Sequence, residues 1–256
     1  MAQTLVTLIR NLQRRNARRR LPLAVAEGVR LVEEAVGAGV AFKGAAVSAT
    51  LDRTDRGKAL RDGLHRAGVP LEEVSDRELD RLADTETPQG VVAVIEHPRW
   101  TLRDLAPRYD APVLVLDAVQ DPGNVGTLLR TAYALGAAGV VLLPGGARLV
   151  HPKVLRGAMG ASFRMPAVTV AGDDFRTWLA QERVTLWVAD PGGRPVTALA
   201  KPQRLALMVG NEGAGVGPPW TGLADATVGV PIAREVDSLN VAVAAGIILH
   251  EVARHD

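Results

Sequence analysis

Two α/β units are predicted for this chain, the second a mostly parallel sheet with helices on both faces, and three observations predict them. Short apolar runs alternate with stretches of helical spacing through most of the 256 residues, the pattern expected of strands alternating with helices. A Pro-bearing, charged stretch at 97–111 lacks sustained apolar periodicity and divides the chain. Three polar islands then break apolar runs where a strand should hand over to a loop or helix, at 117–132, 209–215 and 230–244. The implied organisation is a first domain over 1–97, a linker over 98–111 and a second domain over 112–256.

In the first unit, Leu5, Leu8, Ile9 and Leu12 recur at helical spacing. Leu23-Ala-Val-Ala is a short apolar strand. Val29, Leu31, Val32 and Val36 predict a helix ended by Gly37 and Gly39. Ala45-Ala-Val-Ser, a charged helix through Leu60 and Leu64, and Leu71-Glu-Glu-Val continue the alternation, and Val91-Val-Ala-Val-Ile closes the unit as a buried strand. The second unit opens on the strand Val113-Leu-Val-Leu, followed by a helix over about 125–135 and the strand Val140-Val-Leu-Leu. Further alternation falls at 151–160, 167–170, 174–181 and 184–189. Leu205-Ala-Leu-Met-Val and Thr227-Val-Gly-Val are strands, and the chain ends in a helix from about Leu239 to Arg254.

Composition is that of an ordinary soluble globule, with 47% hydrophobic and 23% charged residues. No apolar run approaches the ~18 residues of a membrane span, and the N-terminus lacks a signal-peptide pattern. Zero cysteines exclude disulfides and thiolate metal sites, and the five histidines show no paired ligand spacing. A cytoplasmic protein with no membrane segment and no metal is expected. The net charge of +2 says little about partners, but its distribution says more. Arg10, Arg14, Arg15, Arg18, Arg19 and Arg20 fall in one acid-free stretch. They form either an RNA-binding phosphate stripe or a solvated basic helix face. Aromatics, at 4%, are too scarce for base stacking to dominate recognition.

The three islands sit at carboxyl ends of predicted strands, where doubly wound sheets hold their ligands. Asp121-Pro-Gly-Asn-Val-Gly does not supply the dinucleotide fingerprint, and Gly210-Asn-Glu-Gly-Ala-Gly-Val-Gly lacks the Lys-Ser/Thr of a phosphate-binding loop. A glycine-dense loop holding a Glu suits a compact cationic or neutral ligand better than a polyphosphate. The same loop also reads as a plain surface turn.

Asp117-Ala-Val-Gln-Asp-Pro-Gly-Asn-Val-Gly-Thr-Leu-Leu-Arg, Val209-Gly-Asn-Glu-Gly-Ala-Gly and Val230-Pro-Ile with Asp237-Ser-Leu-Asn-Val-Ala-Val-Ala resemble, in order, the three motifs of the SpoU/TrmH family of RNA ribose 2′-O-methyltransferases, members of the SPOUT class. Glu27-Gly-Val-Arg-Leu-Val-Glu-Glu-Ala and Asp84-Thr-Glu-Thr-Pro-Gln-Gly-Val-Val-Ala-Val are similar to the small RNA-binding substrate domain of many members. The resemblance implies a deep trefoil knot in the second domain, an exceptional feature. It also implies S-adenosylmethionine as cofactor, a homodimer, and RNA as substrate, with ribosomal RNA favoured over tRNA. Its cofactor-binding positions are Gly210, Asn211, Glu212, Gly213, Ile232, Ser238 and Leu239. One departure stands out: Ala233-Arg-Glu-Val lacks the glycine usual within the third motif, which bears on the rim and on substrate contacts.

The same resemblance carries Asn124, Arg130, Glu212, Ser238 and Asn240 over as the catalytic group. Arg130 follows Asn124 by six residues, under two helical turns at about 3.6 residues each. Family members are often described with this arginine as general base, but its guanidinium is effectively always charged. The expected role is therefore to stabilise a developing alkoxide and grip a phosphate; the other reading is a surface helical arginine facing solvent or an acid. Glu212 is either a proton acceptor or an organiser of its loop. Ser238 either serves the site beside Asn240 or is the N-cap of the last helix. Two other classes stay open: a catalytically silent RNA-binding assembly factor on the same fold, and a nucleotide-dependent metabolic enzyme, against which the missing fingerprints count.

Overall fold

The computed structural model describes residues 4–13, 23–233 and 235–254. Their contacts divide them into two compact units, one running to Arg99 and including Val150–Arg164, the other Trp100–Leu149 with the residues from Met165 onward.

In the first unit α1 (Leu5–Gln13), β1 (Leu23–Glu27), α2 (Val29–Gly37), β2 (Phe42–Val47), α3 (Asp55–Arg66), β3 (Leu71–Glu73), α4 (Asp76–Leu82) and β4 (Val91–Glu96) follow one another. The strands form a sheet of order β1-β4-β2-β3, with β4 antiparallel to β1 and β2, and β3 parallel to β2. Strand side chains alternate between faces, and β4 shows what that alternation buries. Val91, Ala93 and Ile95 join Leu31, Val32, Leu60 and Leu64 of α2 and α3, while Val92 and Val94 meet Ile9, Leu12, Leu79 and Leu82 of α1 and α4. Helix α4 was not foreseen, because its seven residues carry only two buried apolar positions, Leu79 and Leu82. A Ser75 cap holding the Glu78 N–H at 3.2 Å helps to start it.

The sequence reading keeps 150–164 in the second domain, whereas these residues pack with the first unit. The sequence from α5 (Pro122–Ala134) and β6 (Gly139–Leu142) leads into α6 (Pro152–Ala158) and α7 (Ala161–Arg164). Leu155 and Phe163 of this pair are buried in the core formed by α2 and β4. Polar contacts fix the same placement. The buried Glu27 carboxylate accepts from the Asp84 N–H at 2.7 Å and faces Arg156 at 3.5 Å, and Arg164 pairs with Glu34 at 2.6 Å. Burial pushes the His97 imidazole below its usual pKa, and its Nε2 lies 3.1 Å from Ser162 Oγ. Most of the expected linker, 98–111, belongs to the second unit: Leu105 is buried in its core, with Trp100 and Leu102 packed on it.

The second unit begins with β5 (Val113–Leu116), and after α5 and β6 continues with β7 (Ala167–Thr169), α8 (Gly172–Glu182), β8 (Thr185–Arg194), β9 (Leu205–Val209), α9 (Pro218–Thr221), β10 (Ala226–Val228) and α10 (Val241–Arg254). The sheet is parallel throughout, in the order β10-β8-β9-β5-β6-β7. Val113, Val115, Val141, Ala206 and Met208 pack under Phe175 and Trp178 of α8. The alternate residues Leu114, Leu116, Leu207 and Val209 are equally buried, toward the side where α5 meets β6 and α10 meets α5. Helix α5 starts three residues before the expected Val125, because Asp121 caps it through the Asn124 N–H at 2.8 Å and Pro122 suits the first turn. Among the described residues, no helix is long and apolar enough to cross a membrane, and no group of three or more His, Asp or Glu could hold a metal ion.

Gly90 sets a testable constraint on the first unit. Its φ is +79°, and a Cβ there would lie 2.2 Å from the Leu51 backbone nitrogen. Gly90→Ala therefore combines a left-handed backbone with a clash against main chain, and should destabilise by about 2 kcal/mol or more. Urea unfolding should show a lower midpoint with an unchanged slope.

Candidate active site

Strands β5 and β9 end level with each other, Leu116 opposite Val209, so the first two islands emerge side by side. Asp117 grips both ends of the glycine loop: its N–H donates to Val209 O at 2.9 Å, and its Oδ2 accepts from the Gly217 N–H at 2.8 Å. Within the loop Asn211 and Gly215 exchange two backbone hydrogen bonds of 2.9 Å. Asn211 Oδ1 accepts from Gly213 and Ala214 at 2.9 and 3.1 Å, and its Nδ2 donates to Ala118 O at 3.1 Å. Gly210 cannot be replaced in this turn, since a Cβ would sit 2.1 Å from the Gly215 carbonyl carbon. The loop is thus a tightly knit turn bound to the first island.

Glu212 makes the next connection. Its carboxylate accepts from the Gln120 and Asp121 N–H groups at 3.3 and 3.2 Å and from Asn124 Nδ2 at 3.0 Å. The charge thereby sits at the N-terminus of α5, where the helix dipole favours an anion. Partial burial pushes this carboxyl up, but the Asn124 amide and the backbone donors outweigh it and hold its pKa below the ordinary glutamate value. Asn124 Oδ1 in turn accepts from Asn240 Nδ2 at 3.1 Å. Asn240 Oδ1 caps α10 through the Ala242 N–H at 2.9 Å. One hydrogen-bonded chain, Glu212–Asn124–Asn240, ties all three islands together.

Beside it lies a cavity of about 470 Å³, within the range of small-molecule sites. Gly210, Asn211, Glu212, Gly213, Ile232, Ser238, Leu239 and Asn240 line it, with Val228, Ala244 and Ile248 adding apolar wall. Among the described lining residues, the charged side chains are carboxylates, Asp190 and Glu212. Apolar walls, loop backbone and negative charge fit a ligand with a flat heterocycle and a cationic centre, and disfavour a polyphosphate.

Comparison with known proteins decides the family. The sequence model of the SpoU rRNA methylase family matches residues 111–250, and that of an MRM3-like substrate binding domain matches 4–93. The chain belongs to the SpoU rRNA methylase family. It is 37% identical to the 23S rRNA (guanosine(2553)-2′-O)-methyltransferase RlmP of Bacillus subtilis, over 72% of this chain and 73% of that protein. It is 32% identical to the 23S rRNA (guanosine-2′-O-)-methyltransferase RlmB of Haemophilus ducreyi, over 76% and 82%. Its fold superposes on the SpoU methyltransferase AviRb from Streptomyces viridochromogenes, solved in complex with the cofactor AdoMet, with a TM-score of 0.84. There the identity is 31% and the coverage 96% of this chain and 95% of that one.

Of the SpoU-type residues expected from the sequence, Arg130 is the one that stands apart. It is exposed on α5 and does not line the cavity. Six residues at 100° each turn it about 240° from Asn124, and among the described residues it has no hydrogen-bond or ion-pair partner. The N-cap role weighed for Ser238 falls to Asn240, so α10 begins two residues later than expected and Ser238 is an exposed lining residue. Arg10 pairs with Glu78 at 2.6 Å on a half-exposed surface. Arg14, Arg15, Arg18, Arg19 and Arg20 lie outside the described residues, as does Arg234 of the departure in the third island. Three roles went unread: Asp117 as the clamp on the loop, Asp121 as the cap of α5, and Asp190 on the cavity wall. Asp117 lies just past β5, which is the signal that could have marked it, and Asp121 precedes Pro122, a helix-start signal. Asp190 sits within β8 and carries no such signal.

A folded pKa below the unfolded one means that the contacts of ionised Glu212 are fully present above the unfolded value, about 4.3, and are lost as pH falls through the folded value. The amide NMR shifts of Gln120 and Asp121 should stay flat from about pH 8 to pH 5 and titrate together with a midpoint below that reference. In Glu212→Gln this titration should disappear.

Proposed function

We propose that this chain is a cytoplasmic S-adenosylmethionine-dependent methyltransferase that modifies a ribose 2′-hydroxyl of ribosomal RNA, of the 23S type. The observation that carries the reading is the Glu212–Asn124–Asn240 chain beside a cavity whose walls fit the cofactor, in a member of the SpoU rRNA methylase family. The names of the relatives, 23S rRNA 2′-O-methyltransferases, support the substrate class. The N-terminal unit, matched by a substrate-binding family model, docks the RNA. The trefoil knot implied by the sequence resemblance belongs to the same reading.

The cofactor supplies an already activated methyl group, so the protein's task is to position the ribose and carry the charge that builds on its 2′ oxygen. Asn124 and Asn240 fix each other and present a preset polar edge to the site, which removes reorientation from the reaction. Glu212, held ionised by three donors, is a weakened base and serves to bind the glycine loop to α5. Arg130 keeps its guanidinium free for a bidentate hold on the RNA phosphate and for the developing alkoxide. Ser238 offers a hydroxyl at the rim of the cavity.

A homodimer is part of the proposal. Helices α5 and α10 present an open concavity of about 900 Å³ lined by Asn124, Thr127, Thr131, Val243 and Ile247, with Val243 51% exposed. A second copy covering this surface would bury apolar groups now in water. Val243→Asp should shift the protein to monomer in sedimentation velocity without lowering its melting temperature sharply.

The direct experiment incubates the protein with methyl-labelled S-adenosylmethionine and purified rRNA or tRNA, then maps label by mass spectrometry. Label at a single rRNA 2′-oxygen is expected. Label on a base would refute the hydroxyl chemistry, and label in tRNA alone would refute the substrate class. Cofactor binding without transfer to any RNA tested would favour a silent binding protein. Arg130→Ala should lower kcat by roughly 100-fold or more with cofactor affinity unchanged. Arg130→Lys should restore RNA binding better than rate.

A further inference from the structure

We infer that Asp190 is a cofactor-contacting residue whose carboxylate accepts hydrogen bonds from the ribose hydroxyls of the bound nucleoside. The inference rests on the reading that the cavity binds S-adenosylmethionine, and goes beyond it by assigning a residue outside all three sequence motifs.

Three features of the surrounding backbone show that Asp190 is held in place. Strand β8 makes its last pair with β9 at Val188 opposite Met208. It leaves the sheet and returns to pair Arg194 with Val228, with a shift of register between Thr227 and Val228. This excursion is closed by the Gly192 N–H donating to Asp190 Oδ1 at 2.8 Å. It is also packed without spare room: a Cβ on Gly193 would lie 2.3 Å from the Val228 carbonyl carbon, and one on Gly229 would lie 2.6 Å from Asp190 O. The turn is therefore seated against the start of the 229–232 segment, which supplies Val230 and Ile232 to the same cavity.

Charge and position then single out its function. Of the carboxylates lining the cavity, Glu212 is engaged by three donors, whereas Asp190 Oδ2 has no partner among the described residues. Asp190 thus brings an open anionic acceptor to the wall. In the sheet order β8-β9-β5 it lies two strands from the first island, roughly 10 Å at about 4.8 Å per strand. Asn240 also lines the cavity and bonds to Asn124 of the first island, which puts the methyl-transfer end on that side. The apolar wall beside Asp190, formed by Val228, Val230 and Ile232, suits a purine, whose attached ribose then falls within reach of the carboxylate. An acidic side chain accepting from ribose hydroxyls is a recurring means of nucleoside recognition.

The test is calorimetric titration of the full-length protein with S-adenosylmethionine and with 5′-methylthioadenosine, which keeps the nucleoside but lacks the amino-acid tail and the positive charge. Asp190→Asn retains the Oδ1 acceptor for Gly192. It should weaken both ligands by the same factor, roughly tenfold or more, as expected for loss of a charge-assisted hydrogen bond. A matching measurement needs no variant to fold: 2′- or 3′-deoxy-5′-methylthioadenosine should bind wild type more weakly than the parent compound. Asp190→Asn, if folded, should be indifferent to that deletion. Unchanged affinity of both ligands for Asp190→Asn would overturn the inference while leaving the cofactor assignment intact. Weakening confined to S-adenosylmethionine would place the carboxylate at the charged methionine end and overturn the ribose assignment. Failure of wild type to bind either ligand would overturn the cofactor reading itself.

Discussion

The carboxylate of Glu212 at the head of α5 is the interaction on which the second unit's site depends. It is a small anion meeting three donors, and to the Asp117 clamp and the Asn211–Ala118 bond it adds the link that carries the glycine loop onto the start of α5. The backbone of a glycine-rich turn has little conformational preference of its own, so its shape must be imposed. Asn211 imposes it from within, by turning its side chain onto Gly213 and Ala214. Asp117 and Glu212 impose it from outside, one at each flank of α5's leading loop. Because Glu212 is ionised, the pinning costs little at the helix N-terminus, where the unpaired N–H groups already favour negative charge.

The parallel sheet explains why such a device is possible. Parallel strands deliver all their carboxyl ends to one edge, and level register between β5 and β9 brings residues 93 or more positions apart in sequence, such as Ala118 and Asn211, within hydrogen-bond distance. The third island arrives by another route, from β10 through an irregular segment into α10. Among the described residues Asn240 links it to the first island, capping its own helix and bonding to Asn124.

Much of this arrangement was readable from the residues. The buried strands Val91–Glu96, Val113–Leu116 and Leu205–Val209 are continuous apolar runs, and the strand-end positions of the islands follow from them. What was not readable depends on tertiary partners. The seven residues of α4 have too short an apolar stripe to register a period. The placement of 150–164 turns on Leu155, Phe163 and Arg156 finding Glu27 and the first core, a choice that local pattern cannot express. Asn240 rather than Ser238 became the cap because both residues are good caps and only the contact with Asn124 distinguishes them. Asp190 escaped because nothing in Asp-Pro-Gly-Gly marks a ligand; it lies on an irregular stretch of β8, and its place on the cavity wall depends on the segments packed beside it.

Arg130 exposes the limit of what one chain holds. Every other polar group carried over as catalytic is in the chain of hydrogen bonds or on the cavity wall, while this cation lies about 120° around the helix from Asn124 and, among the described residues, has no acid paired with it. An exposed arginine without a partner gains nothing in stability from its position, since even a paired surface arginine is worth little. Its value must be realised in a complex, where an anion replaces water around the guanidinium and the dielectric falls. RNA brings such an anion with every nucleotide. On the proposed function, the cavity binds the donor in the free protein, and the charge that lowers the barrier comes into play when the phosphate of the target nucleotide arrives. Specificity for RNA and acceleration of transfer would then depend on one side chain.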